Sequence, residues 1–312
     1  MKLSDLGEGG LIRKIREKFG RQSEGWPVGI GDDAAVVDLP PGYSLVFCSD
    51  LLAENTHFIR DLHPPASIAY KAIAANVSDV AAMGGIATHF VLSLATPGDL
   101  DWSWFEGFFD GIESGAREFN VVLAGGDSSS SEHMFVDVAM IGRVRLGHAV
   151  RRSGAKPGDA IYVTGMLGSS VLGLERLKQG KTGDPAVKRH LFPEPRHTVG
   201  AAVADRAHAM IDISDGLSTD LTHILEESKV SARIYKDRLP IWPGSGTEQA
   251  LHGGEEYELL IVGSELSATI EGIPVTRIGE IVESSIEPQA FLIDGTRESV
   301  LYPRGWQHFQ HE

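Results

Sequence analysis

Apolar and polar positions alternate along this chain in two distinct rhythms. Residues 11–19 place apolar side chains at 11, 12, 15 and 19 with basic residues between them, the spacing of a short amphipathic helix. Residues 34–39 and 44–49 read as strands joined by a Pro40-Pro41-Gly42 turn. That hairpin predicts that Asp33 lies near Asp50. A polar loop with His57 follows. Residues 66–83 form an Ala-rich helix closed by Gly84-Gly85. Asn76, Asp79 and Met83 share one of its faces. A strand over 86–95, a helix over 101–119 with an aromatic stripe suited to packing, and strands over 121–124 and 135–144 complete a ββαβαββ unit.

The basic, Gly- and Pro-bearing stretch 148–158 reads as a linker, which gives domains of 1–147 and 148–312. Strands are expected over 159–164, 210–213, 232–235 and 257–262, and helices over 169–178, 196–208 and 217–227. A loop is expected over 180–195, and short strands and turns run toward Gly305-Trp306. No fixed-period repeat is present. The expected class is α+β in two domains, the second α/β.

Composition narrows the function. With 42% hydrophobic residues and 36 glycines in 312 positions, the chain can build a core with many tight turns. A net charge of −15 argues against nucleic acid as a partner. A single cysteine, Cys48, permits no intramolecular disulfide. The polar first ten residues and the lack of any apolar run near 18 residues predict no membrane span and a cytoplasmic location.

Familiar nucleotide and hydrolase motifs are missing. There is no G-x-x-x-x-G-K-[ST], no G-x-G-x-x-G opening a helix, no G-x-S-x-G, and no CxxC or HExxH. What recurs instead is aspartate at the ends of elements: Asp32, Asp33, Asp50, Asp79, Asp127, Asp212 and Asp215. Singly these are turn residues. Together they are hard oxygen donors suited to Mg²⁺ and phosphate. Of the adjacent pair, Asp33 is expected to hold metal directly and Asp32 to serve the turn or support the site indirectly.

The ordered set GIGDDAAVV, CSD, NVSDVAAMG, AGGDSSS, RRSGAKPGD, IDISDG, GGEEYEL and GWQHF resembles the thiamine-monophosphate kinases. These belong to an ATP-binding superfamily with aminoimidazole ribonucleotide synthetase, selenophosphate synthetase and the hydrogenase-maturation dehydratase. The resemblance spans about residues 5–309. It implies a homodimer whose N-terminal halves pair into a β-barrel, with ATP near the interface. It also implies direct transfer of the γ-phosphoryl group of ATP to thiamine monophosphate. Asp33, Ser49, Asp50, Asp79, Asp127, Asp212 and Asp215 would bind several Mg²⁺ ions. Gly126, Asp127, Arg152 and Ser214 would contact ATP, and His57, Glu255 and Trp306 the thiamine monophosphate. The chemistry agrees. The acceptor oxygen is already charged and needs no strong base, so positioning and charge neutralisation dominate. An indole face also suits a cationic thiazolium.

Two positions depart from the family pattern. Cys48 stands where many members carry a hydroxyl, and a neutral thiol is a poor Mg²⁺ ligand. Glu256 stands where Asp is more usual and keeps the charge. The rival readings are a sister enzyme acting on another acceptor and a catalytically silent nucleotide-binding protein.

Overall fold

The computed structural model describes residues 2–20, 37–284 and 286–307. The chain divides into two units, one of Met1–Val80 with Ile86–Gly147 and one of Ala81–Gly85 with His148–Glu312.

In the first unit the elements run α1 (Leu3–Phe19), β1 (Tyr43–Ala53), α2 (Pro65–Ala82), β2 (Ile86–Thr96), α3 (Trp102–Glu118), β3 (Val122–Ser130) and β4 (Phe135–Arg145). The sheet order is β1-β4-β2-β3. Only the β2–β3 pair is parallel, and α3 is the crossover that such a pair needs. One row of side chains is buried, including Phe90, Leu92, Leu94, Val136, Val138 and Met140. The opposite row leaves an apolar face open, with Leu45, Phe47, Leu51, Ile86, Val91 and Phe135 exposed. The aromatic stripe of α3 is packing: Phe105 and Phe108 are fully buried, and Trp104 stacks on Phe108 at 5.6 Å. A Cβ at Gly111 would overlap the main chain of Ala66, so α3 and α2 approach closely there.

Only half of the expected hairpin's first strand lies among the described residues. Positions 37–39 belong to no strand, and positions 34–36, like Asp32 and Asp33, lie outside the described residues. β1 pairs with β4 over its whole length, from Tyr43↔Arg145 to Ala53↔Phe135. Pro40 and Pro41 offer no N–H to a ladder, and β4 takes one edge of β1 along its whole length. β1 also runs past Asp50, and β3 continues through Gly125, Gly126 and Asp127.

The second unit contains β5 (Ala160–Thr164), α4 (Ser169–Lys178), α5 (Pro185–Leu191), α6 (His197–Val203), β6 (Ala207–Asp212), α7 (Leu217–Ser228) and β7 (Ser231–Tyr235). It continues with α8 (Thr247–His252), β8 (Leu259–Gly263), β9 (Thr269–Ile270), β10 (Ile273–Val282), β11 (Ala290–Asp294) and β12 (Arg297–Val300). The sheet order is β12-β11-β7-β10-β5-β8-β6, with β9 on β10. β5 and β8 are buried throughout. Their alternate residues enter two clusters, Ile161, Val163, Leu260 and Val262 with α7, and Tyr162, Leu259 and Ile261 with α6. A strand covered on both faces reads as a continuous apolar run. The expected loop 180–195 holds α5, which is capped by Asp184 accepting from the Ala186 N–H at 2.9 Å with Pro185 in the first turn.

Candidate functional site

Each unit carries part of the predicted set. On the open face of the first sheet, Asp127 is in register with Ser93, and Ser93 with Asp137. Ser49 donates its hydroxyl to Asp137 at 2.8 Å. Ser93, Asp127, Ser129, Phe135 and Asp137 line a pocket of about 200 Å³. Asp137 was not singled out in the sequence, because a lone Asp in an alternating strand looks like solvent-facing polarity.

Strand alternation sends Cys48 and Asp50 to the other side. There the Cys48 thiol donates to the Asn76 carbonyl at 3.5 Å and lies 3.6 Å from its Oδ1. Asn76 is fully buried and donates to the Ala72 carbonyl at 3.0 Å. Asp79, half-buried, follows Asn76 on α2. The set therefore splits across the sheet, with Ser49 and Asp127 on one face and Asp50 on the other. His57 is fixed by the Ala53 N–H, which donates to its Nδ1 at 3.0 Å and leaves Nε2 to carry the proton.

Gly126 has no room for a side chain, since a Cβ would overlap the Leu92 carbonyl of β2. Gly126→Ala is expected to lower stability by about 1–3 kcal/mol, read as a fall in the thermal midpoint.

In the second unit β6 ends at Asp212, which is buried. Ser214, Asp215 and Gly216 then turn into α7, and Gly216 adopts φ 116°, which favours glycine. Asp220, a further residue the sequence did not flag, accepts from the N–H groups of Asp215 at 3.2 Å and Gly216 at 3.0 Å. Asp215, Asp220 and His223 each bring a ligand atom within 4.8 Å of the others. Burial, then the charges of Asp212 and Asp215, hold the Asp220 carboxyl well above the usual carboxylate range.

Two more segments are stitched to this turn. The Glu255 N–H donates to the Ser214 carbonyl at 2.7 Å and the Trp306 N–H to the Asp215 carbonyl at 2.9 Å. Gly305 is pressed against Asp215 and Thr219. The unit thus brings Asp212, Ser214, Asp215, Glu255 and Trp306 together, with the Trp306 residue half exposed. Arg152 is exposed, and its carbonyl accepts from the Ser228 hydroxyl at 3.2 Å.

Beside Glu255 lie Glu256, noted in the sequence only as a departure from the family pattern, and Glu258, which sequence reasoning passed over. Glu256 is buried and accepts from the N–H groups of Gly168 at 2.9 Å and Ser170 at 3.1 Å and from the Ser169 hydroxyl at 2.6 Å. It therefore caps the start of α4. Glu258 is fully buried and accepts from Thr164, Arg189 and Arg196.

Burial pushes the Glu256 carboxyl up from 4.5 to about 7. The folded protein then keeps a proton that the unfolded chain has already released, so stability falls as pH rises from about 4.5 to 7 and levels above that. The drop is about 3 kcal/mol at most. Denaturant unfolding at pH 5 and pH 8 should show a larger loss in the parent protein than in Glu256→Gln.

Residues 31–144 match the family model AIR synthase related protein, N-terminal domain, and residues 156–288 match AIR synthase related protein, C-terminal domain. The chain is 37% identical to thiamine-monophosphate kinase of Escherichia coli strain K12, over 97% of this chain and 98% of that protein. The crystal structure of thiamine-monophosphate kinase from Stenotrophomonas maltophilia K279a superposes with a TM-score of 0.81 at 32% identity, covering 90% of this chain and 95% of that one. AaThiL, solved as a complex with AMPPCP and TMP, superposes with a TM-score of 0.78 at 34% identity, covering 99% of each chain. With both domain models matched and near-complete coverage at this identity, the chain belongs to the thiamine-monophosphate kinase family of AIR synthase related proteins.

Proposed function

We propose that this protein transfers the γ-phosphoryl group of ATP to thiamine monophosphate, giving ADP and thiamine diphosphate. The observation that carries this reading is the near-complete match to a thiamine-monophosphate kinase, at 37% identity over 97% of the chain.

The donor set fits Mg²⁺. It is dominated by hard carboxylate oxygens, and the crowding of Asp212, Asp215 and Asp220 is a concentration of like charge that a divalent cation relieves. Ser49, Asp50, Asp79 and Asp127 in the first unit and Asp212 and Asp215 in the second would hold the ions, as would Asp33, which lies outside the described residues. Bound Mg²⁺ supplies charge neutralisation on the phosphate oxygens.

The chain's own residues bind and orient. Gly126, Asp127, Arg152 and Ser214 meet ATP, Arg152 through a guanidinium suited to phosphate. His57 presents a fixed Nε2–H as a donor. Glu255 receives the amine or the positive charge of the acceptor, and Trp306 offers an indole face to the thiazolium. No residue need remove a proton, because the attacking phosphate oxygen is already anionic.

The protein works as a cytoplasmic homodimer in this reading. The first unit supplies the pairing surface, and the apolar face bearing Leu45, Phe47, Leu51, Ile86 and Val91 is suited to pairing with a second copy into a barrel. Among the described residues no helix is long and apolar enough to cross a membrane.

The test offers purified protein, Mg²⁺ and ATP to thiamine, thiamine monophosphate and an aminoimidazole precursor in separate reactions. Only thiamine monophosphate should be consumed, with ADP and thiamine diphosphate formed in equal amounts. Turnover of the aminoimidazole precursor instead, or no turnover, overturns the reading.

A further inference from the structure

Glu255 and Tyr257 both sit in the left-handed region, with φ of 60° and 53°, and neither is a glycine. A side chain makes that backbone unfavourable, because Cβ comes too close to the carbonyl oxygen that follows. Strain of this kind persists only where the surroundings over-determine it. Part of the restraint is main chain: Glu255 N–H donates to the Ser214 carbonyl at 2.7 Å and Tyr257 N–H to the Ile213 carbonyl at 2.9 Å.

The rest comes from Glu256, the residue between them. Its carboxylate is locked onto the first turn of α4 by Gly168, Ser169 and Ser170. Ser170 is shared. While its N–H donates to Glu256, its hydroxyl lies 2.9 Å from Nδ1 of His190. His190 is buried, and the same Nδ1 lies 3.6 Å from Oε2 of Glu255. The chain of contacts leaves Glu256, passes through Ser170 and His190, and returns to the carboxylate of the preceding residue. Glu255 is thus held at both ends, its backbone in a strained turn and its partly exposed carboxylate against His190.

We infer that Glu256 is a positioning residue for the acceptor substrate: through Ser170 and His190 it fixes where the Glu255 carboxylate points, and so sets affinity for a cationic, amine-bearing phosphate ester. The inference rests on the reading of Glu255 as an acceptor contact. Around metal ions, losing an outer partner that orients a ligand commonly costs about 10–100-fold in affinity, and Glu256 stands to Glu255 in the same relation.

The experiment compares Glu255→Gln, Glu256→Gln, Glu256→Asp and Ser170→Ala in the full chain. It uses steady-state kinetics and calorimetric titration of thiamine monophosphate, with circular dichroism as the control for folding. Glu256→Gln and Ser170→Ala should each raise KM and Kd for thiamine monophosphate roughly tenfold, with kcat and the KM for ATP close to the parent values. Glu256→Asp, which keeps a carboxylate at the α4 turn, should recover most of the affinity. Ser170→Ala keeps the N–H to Glu256 and removes only the link to His190, so it reads the connection even if Glu256→Gln fails to fold.

If Glu255→Gln weakens thiamine monophosphate binding while Glu256→Gln and Ser170→Ala do not, the inference is overturned and the Glu255 contact stands. If Glu255→Gln leaves binding unchanged, that contact is overturned and the inference with it. Absence of phosphoryl transfer in the parent protein would overturn the proposed activity, and the calorimetric comparison would still decide the positioning role.

Discussion

Replacing Asp127 by asparagine is expected to lower kcat for thiamine diphosphate formation by about 10²–10³-fold while leaving the unfolding midpoint at its parent value. The two halves of that expectation come from different observations. Asp127 is exposed on β3 in a pocket on the open face of the sheet, so no core contact depends on it. Its hydrogen bond at 2.8 Å is local, from the Ser128 N–H to Oδ1. Asparagine retains that acceptor and the side-chain shape. A surface substitution of this kind usually stays within about 0.5 kcal/mol. What disappears is a carboxylate among the oxygen donors proposed to serve a polyphosphate and its metal. Single-turnover and steady-state rates at saturating Mg²⁺ and ATP, with a parallel thermal melt, test both halves. Equal loss of activity and stability would mean that Asp127 is structural, and unchanged kcat would remove it from the site.

The sequence made the aspartates conspicuous but not their sidedness. Asp50 and Asp127 look equivalent as acids beside glycine or serine. Strand alternation puts Ser49 and Asp127 on the open face and Asp50 on the side where Cys48 meets Asn76. Alternation was visible in residues 44–49, yet the face could not be assigned until β1 had found its partner. That partner, β4, lies beyond both helices in sequence, out of reach of a local pattern. Long-range pairing is the information a local reading lacks.

α5 was missed for the opposite reason. Asp184 and Pro185 are a legible helix start, but the surrounding glycines and prolines read as loop. The helices α2, α3, α4 and α7 were legible because their apolar periods are long and bounded by glycine or a turn. The burial of Glu256 and Glu258 stayed hidden because acidic residues in a polar stretch read as solvated, and only tertiary structure buries them. Asp220 was hidden by the same rule.

The largest stability effect expected anywhere in the second unit follows from that burial. Glu258→Gln should destabilise the protein by about 3–5 kcal/mol. Glu258 is fully buried, and Arg189 and Arg196 are buried beside it. Arg189 donates to one carboxylate oxygen at 2.7 Å, while Arg196 donates to both, at 2.7 and 2.6 Å. Thr164 adds its hydroxyl at 2.6 Å. The Glu258 contacts raise the Arg196 guanidinium pKa against the opposing pull of burial, the signature of a desolvated cation held by its partner. Glutamine keeps the volume but deletes the charge and turns an amide N–H₂ toward guanidinium donors, leaving two buried cations whose remaining ion-pair partner among the described residues is Glu194, which is largely exposed. The cost is that of uncompensated burial, not the net value of the ion pair. A triple variant, Arg189→Met with Arg196→Met and Glu258→Leu, removes all three charges at once. It should therefore unfold at a higher urea concentration than Glu258→Gln alone. Urea midpoints for the parent, the single variant and the triple variant decide the matter. A triple variant less stable than the single would show that the network's hydrogen bonds, rather than its charge balance, hold β5 and β8 to the helices that carry the arginines.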